Sequence, residues 1–97
     1  MKLDFDQTLK NLDGLDLQDD EKNPIKLKTI CVNALLGGDP REQTPGEEKA
    51  KRYDLALRLH KGGEQDVKVE EASLIKKQVG ALYPAIIVGP VFSIFDA

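Results

Sequence analysis

The sequence predicts an α+β domain, with an N-terminal β-hairpin or small sheet followed by three to four helices. Three observations carry this. Leu3 and Phe5 alternate with Lys2, Asp4 and Asp6, and Leu15 and Leu17 alternate about Asp16, on either side of Asp13-Gly14. Residues 44 to 82 repeat apolar side chains at helical spacing on both sides of a short Gly-containing link. Residues 85 to 95, AIIVGPVFSIF, form an apolar tail too short to span a bilayer and long enough for a core helix. At 97 residues the chain is one domain, 1–97.

The elements follow in order. Period-2 alternation gives two strands, and Asp13-Gly14 between them reads as a two-residue turn, because glycine accepts positive φ without steric cost. Residues 18 to 24 are polar and read as loop. Ile25 and Leu27 alternate with Lys26 and Lys28, which predicts a third short strand. Thr29 is placed to cap a helix over residues 30 to 36, with Ile30, Ala34 and Leu35 on one side and Gly37-Gly38 ending it. Residues 37 to 43 read as loop, and no internal repeat is visible.

The next helix has the clearest start. Thr44 reads as the N-cap, Pro45 as the first helical residue, and Glu47 as the return half of a capping box. Ala50, Tyr53, Ala56, Leu57 and His60 share one side and read as its core face. Glu47 with Lys51, Glu48 with Arg52 and Asp54 with Arg58 are acid-before-base pairs four apart, each supporting an exposed helix by about 0.2–0.5 kcal/mol. Gly62-Gly63 ends it. Val67 and Val69 suggest a short extended piece. A third helix follows from about residue 70 to 82, with Ala72, Ile75, Val79 and Leu82 inward and Pro84 as its stop. The tail over 85–95 reads as a helix kinked or interrupted at Gly89-Pro90, since Pro90 has no N–H.

Composition sets bounds on function. Charged residues make up 32% and hydrophobic residues 40%, which suits a folded chain rather than a disordered one. A net charge of −3 argues against a general nucleic-acid binder, which must neutralise phosphates. Residues 1 to 20 hold six Asp against two Lys, and read as a solvated face, with a docking surface for a basic partner as the other reading. The start lacks the apolar stretch of a signal peptide, and no segment is long enough for a membrane span, so the expected location is cytoplasmic, without membrane association. The single Cys31 excludes an internal disulfide, fits a reducing compartment, and sits in the apolar run TICVNALL, where a cysteine packs as a small hydrophobe.

The most suggestive chemical pattern is a near miss. Taking His60 as position one of a twelve-residue calcium loop puts Val67 at eight and Glu71 at twelve, as such a loop requires. It also puts Gly62 at three, Glu64 at five and Gln65 where glycine belongs at six. Without oxygen donors at one and three, the six or more oxygens that calcium takes are not supplied. His60 lacks a second His or a Cys at metal-ligand spacing. Gly37-Gly38 and Gly62-Gly63 match no phosphate loop. The pairs Asp19-Asp20, Glu47-Glu48 and Glu70-Glu71 lie in no apolar setting that would retune a carboxyl group, and the last two open helices. These features predict no catalytic residue, no metal ligand and no cofactor.

The segments LDG near the start, ICVNALL, GEEKAKRYDLAL and ASLIKKQVGALYPAIIVGPVFSIFD, taken in this order, resemble a group of small phage- and prophage-encoded proteins of about this length. That resemblance implies a bacterial or phage cytosolic setting and an accessory or assembly role, and it supplies no active site. The expected function is therefore a non-enzymatic interaction or assembly protein, with a protein partner or self-association. Two alternatives are a regulatory module contacting nucleic acid, for which Lys49, Lys51, Arg52 and Arg58 would have to be free of acid partners, and a small enzyme with a site near His60 or Cys31.

Overall fold

The structure, a computed structural model, describes residues 1–38 and 41–97. Among the described residues six regular elements occur in the order β1 (Lys2–Asp4), α1 (Leu27–Leu36), α2 (Gly46–His60), β2 (Glu64–Asp66), α3 (Val69–Leu82) and α4 (Ala85–Phe95). This is the expected α+β arrangement, a small antiparallel sheet and four helices. The ladder partner of β1 is β2, which lies sixty residues away between α2 and α3, in the register Lys2–Asp66, Leu3–Gln65 and Asp4–Glu64.

The polar stretch between β1 and α1 is built as two successive turns of eight residues each. Leu9, Leu17 and Ile25 are linked in a closed triangle of backbone hydrogen bonds. The Leu9 N–H donates to the Ile25 carbonyl (2.9 Å), the Ile25 N–H to Leu17 (2.8 Å) and the Leu17 N–H to Leu9 (2.8 Å). Antiparallel bridges Thr8–Lys26, Lys10–Asp16 and Gln18–Pro24 flank these contacts. The two turns share one hydrogen-bond plan. In the first, the Asn11 side-chain oxygen accepts the N–H groups of Asp13 and Leu15. In the second, Asp19 does the same for Glu21 and Asn23. Within these two turns the residues in the left-handed region are Gly14 (φ 80°) and Lys22 (φ 64°).

This arrangement revises the expectation of no repeat: Leu9, Leu17 and Ile25 recur every eight residues, as do the side-chain acceptors Asn11 and Asp19. It also refines the first turn. The reversal falls near Asp13-Gly14 as expected. However, Asp13 does not have positive φ, so the loop is Leu12-Asp13-Gly14 with glycine last, not a two-residue turn. The expected third strand is a pair of bridges at Pro24 and Lys26. Leu27 turns inward as the first residue of α1, so this helix starts three residues before the expected residue 30, with Thr29 inside it, and its N-cap is Lys26 with no side-chain hydrogen bond.

The core lies where α1 packs on α2 and α3, and α4 closes on α3. Phe5, Leu9, Leu27, Cys31, Leu59, Val67, Ile75, Val79 and Val91 are fully buried. Helix α4 runs through Pro90 without the interruption that is one of the two outcomes expected at Gly89-Pro90. Ile87, Val91 and Phe95 repeat every four residues and anchor it, with Phe95 edge-on to Phe5 at a centroid distance of 6.5 Å. The carbonyl that Pro90 leaves without its helical donor belongs to Ile86, on the exposed side. Helix α3 starts at Val69 and buries Ala72, Ile75, Gln78 and Val79, while Leu82 is partly exposed rather than inward. Glu71 accepts the Lys68 N–H at 3.0 Å, which is the return half of a capping box and the only half a lysine cap can form.

Candidate functional site: an open groove between α1 and α2

Helix α2 is rotated relative to the reading of its periodicity. Its inward residues are Arg52, Leu55, Ala56 and Leu59. Of the expected core face, only Ala56 is buried. Tyr53 is 54% exposed, Leu57 50%, and Ala50 and His60 also face outward. Leu55 and Leu59 form, with Ala56, the apolar stripe that turns inward. Arg52, one turn before Leu55, is carried in on the same side, and its buried guanidinium lies 2.6 Å from the Glu42 carboxylate, which supplies the counter-charge. The sequence pairs Arg52 with Glu48 and Arg58 with Asp54. The structure pairs them with Glu42 and, at 2.8 Å, with Glu71.

The start of α2 differs as well. Pro45 is the N-cap and Gly46 the first helical residue, and the Thr44 hydroxyl donates to Glu42 at 2.7 Å instead of accepting from the helix. Thr44 first, and Arg52 next, hold the Glu42 carboxyl below the usual carboxylate range. Asp39 and Pro40, in the loop expected over 37–43, lie outside the described residues.

The rotation of α2 leaves an apolar groove open on the surface. Thr29, Val32, Asn33 and Leu36 of α1 form one wall, and Tyr53, Leu57 and His60 of α2 the other, with Ala56 as the floor and Lys28 at one end. Its volume is about 460 Å³. The small side chain of Ala56 keeps the floor low, and its walls carry the half-exposed Leu36 (54%), Tyr53 and Leu57. Among the described residues no carboxylate lines this groove, although the chain is acidic overall. Lys28 pairs with Asp6 at 3.4 Å, and Lys49 stands one helical turn from Tyr53, on the rim of the adjoining pocket that contains Glu42 and Arg52.

The residues weighed for chemistry do not converge. His60 stands at the groove's end and is exposed. Cys31 is on the opposite side of α1, fully buried, and burial pushes its thiol up to about 12, which keeps it protonated. In the loop that resembles a calcium site, the polar groups are used internally. Glu71 meets Arg58 and the Lys68 N–H. The Gln65 amide donates to the carbonyls of Arg58 (2.8 Å) and Gly62 (3.1 Å), and the Gly63 N–H donates to Asp6 (2.9 Å). Among the described residues, no group of three or more His, Cys, Asp or Glu comes together as a metal cluster. No helix among them is long and apolar enough to cross a membrane.

Sequence reasoning missed Asp6, Arg52 and the groove itself. Asp6 ties the β2 loop to α1 by accepting from Gly63 and pairing with Lys28. A signal for the groove was present in the assignment of Tyr53, Leu57 and His60 to one helical face, and only the direction of that face was misread. No family model, curated protein or solved structure matches the chain.

Proposed function

We propose that this domain is a non-enzymatic interaction or assembly protein that binds a protein partner through the α1–α2 groove, in keeping with the phage or prophage accessory role its resemblance implies and with a cytoplasmic setting. The observation that carries this reading is the open groove, walled by Leu36, Tyr53 and Leu57, each at least half exposed. Contiguous exposed apolar surface of this kind on a small domain marks interaction sites. The groove fits an apolar side chain on a partner segment whose flanks carry carboxylates, because the groups on its border are Lys49, His60 and Lys28, the last already paired with Asp6.

The two alternatives have less support. A nucleic-acid face on α2 would need Lys49, Lys51, Arg52 and Arg58 together. Arg52 is buried against Glu42 and Arg58 is engaged with Glu71, which leaves two lysines on an acidic chain. An enzyme built on Cys31 would need an accessible thiolate, and the Cys31 thiol is buried and protonated.

Selection of a displayed random peptide library on the wild-type protein, with counter-selection on Leu57→Glu, tests the proposal. The expected peptides carry a Leu or aromatic anchor beside Asp or Glu and lose binding to Leu57→Glu. Failure to enrich any peptide, or peptides that bind both proteins equally, would overturn it.

A further inference from the structure

Resting on the interaction reading above, we propose that the occupant of the groove is the Leu12 turn of a second copy of this chain, so that the protein associates head to tail. Leu12 stands at the tip of the first eight-residue turn and is as exposed as it would be in an extended chain (101%), with Leu15 beside it at 65%. This tip is pre-shaped. Asn11 accepts two backbone N–H groups across it, and the Asn11 N–H donates to Leu15 at 2.7 Å. A rigid apolar knob loses little conformational freedom on docking.

The second turn serves as an internal control. It has the same hydrogen-bond plan, yet Asp20 stands where the first turn has Leu12, and Asn23 where it has Leu15. The turn itself therefore does not require leucine at either place, and the two exposed leucines call for another reason. Charge complements shape. Asp13 on the first turn, with Asp19, Asp20 and Glu21 against Lys22 on the second, makes this end acidic, while the groove is bordered by Lys49, His60 and the Asp6-paired Lys28 and is lined by no carboxylate among the described residues.

Tip and groove are different surfaces, so the contact is heterologous: each copy offers a free tip and a free groove, and association continues into rings or filaments. One turn in one groove falls at the small end of specific interfaces, so the association is weak, concentration-dependent and salt-sensitive.

Sedimentation velocity across micromolar to millimolar protein tests this. Wild type should associate progressively, and added salt should weaken it. Leu12→Asp, which removes the knob, and Leu57→Asp, which spoils the groove, should each raise the apparent Kd at least tenfold. Tyr53→Asp serves as a second groove variant, and circular dichroism verifies the fold of each. Mixing Leu12→Asp with Leu57→Asp should restore one tip–groove contact and give dimers and nothing larger. A wild type that stays monomeric, a Leu12→Asp that still associates, or a mixture of folded variants that forms no dimer would overturn the proposal. If wild type is monomeric while the peptide selection succeeds, the groove serves a different protein and only the self-association is lost.

Discussion

Lys22 occupies in the second turn the place that Gly14 occupies in the first, and both are in the left-handed region, at φ 64° and 80°. For a residue with a Cβ that conformation costs about 1–2 kcal/mol, part of which glycine gives back as chain entropy. Lys22→Gly should therefore stabilise the domain by about 1 kcal/mol, and Gly14→Lys should destabilise it by a similar amount. Urea midpoints that do not move in these opposite directions would show that the two turns are not equivalent.

The Glu42–Arg52 pair should appear in the acid limb of the stability curve. Glu42 has a lowered pKa in the folded state, from the Thr44 hydroxyl and then Arg52, and Glu71 is lowered chiefly by Arg58. A carboxylate lowered on folding contributes its full stability above the unfolded pKa, about 4.3 for Glu, and loses it as pH falls through the folded value. Urea midpoints should thus be flat on the acid side of neutrality until that range, then decline. Glu42→Gln should start lower at neutral pH and decline less steeply, and an unchanged slope would count against the pair.

Thr44 offers a direct choice between two roles. A helix cap needs an acceptor, so Thr44→Asp would be tolerated if Thr44 capped α2. The hydroxyl instead donates to Glu42, and aspartate at that place would face a second carboxylate with no proton to give. Thr44→Asp should lower the thermal midpoint at neutral pH by more than Thr44→Ala. The reverse order would restore Thr44 as the cap.

Cys31 should react with a thiol reagent only as fast as the chain opens. It is fully buried and its thiol is pushed up to about 12. Cys31→Ala should be modest in its effect, whereas Cys31→Ser places a hydroxyl in the core and should cost about 1–3 kcal/mol. Rapid labelling of the native protein would contradict this placement.

Helix α4 should be indispensable to the fold. Phe95→Ala removes the ring packed against Phe5 and should cost about 3–5 kcal/mol, a large part of the stability of a domain this size. Ile86→Ser, at a position 55% exposed, should change little. A chain cut after Pro84 should be unfolded by circular dichroism, and a folded truncated chain would show that the core closes without α4.

The sequence by itself determined the helical content and most helix ends. Gly37, Gly62-Gly63 and Pro84 act within a few residues of where they stand, through backbone conformation, and their effects needed no distant partner. It also determined that residues 85–95 are an apolar helix packed on the domain, whereas which of its side chains are buried, Ile87, Val91 and Phe95 with Ile86 left exposed, came from the packing. Only the tertiary structure decided the pairing of β1 with β2, the direction of α2 and the existence of the groove. Each of these depends on contacts between residues far apart in the chain or on a buried charge finding a counter-ion. Periodicity offers two apolar stripes on α2, one through Tyr53 and Leu57 and one through Leu55 and Leu59, and Arg52 lies on the second. The carboxylate of Glu42, ten residues away, lets that side turn inward with its charge paired, and Tyr53 and Leu57 are left facing water as a result.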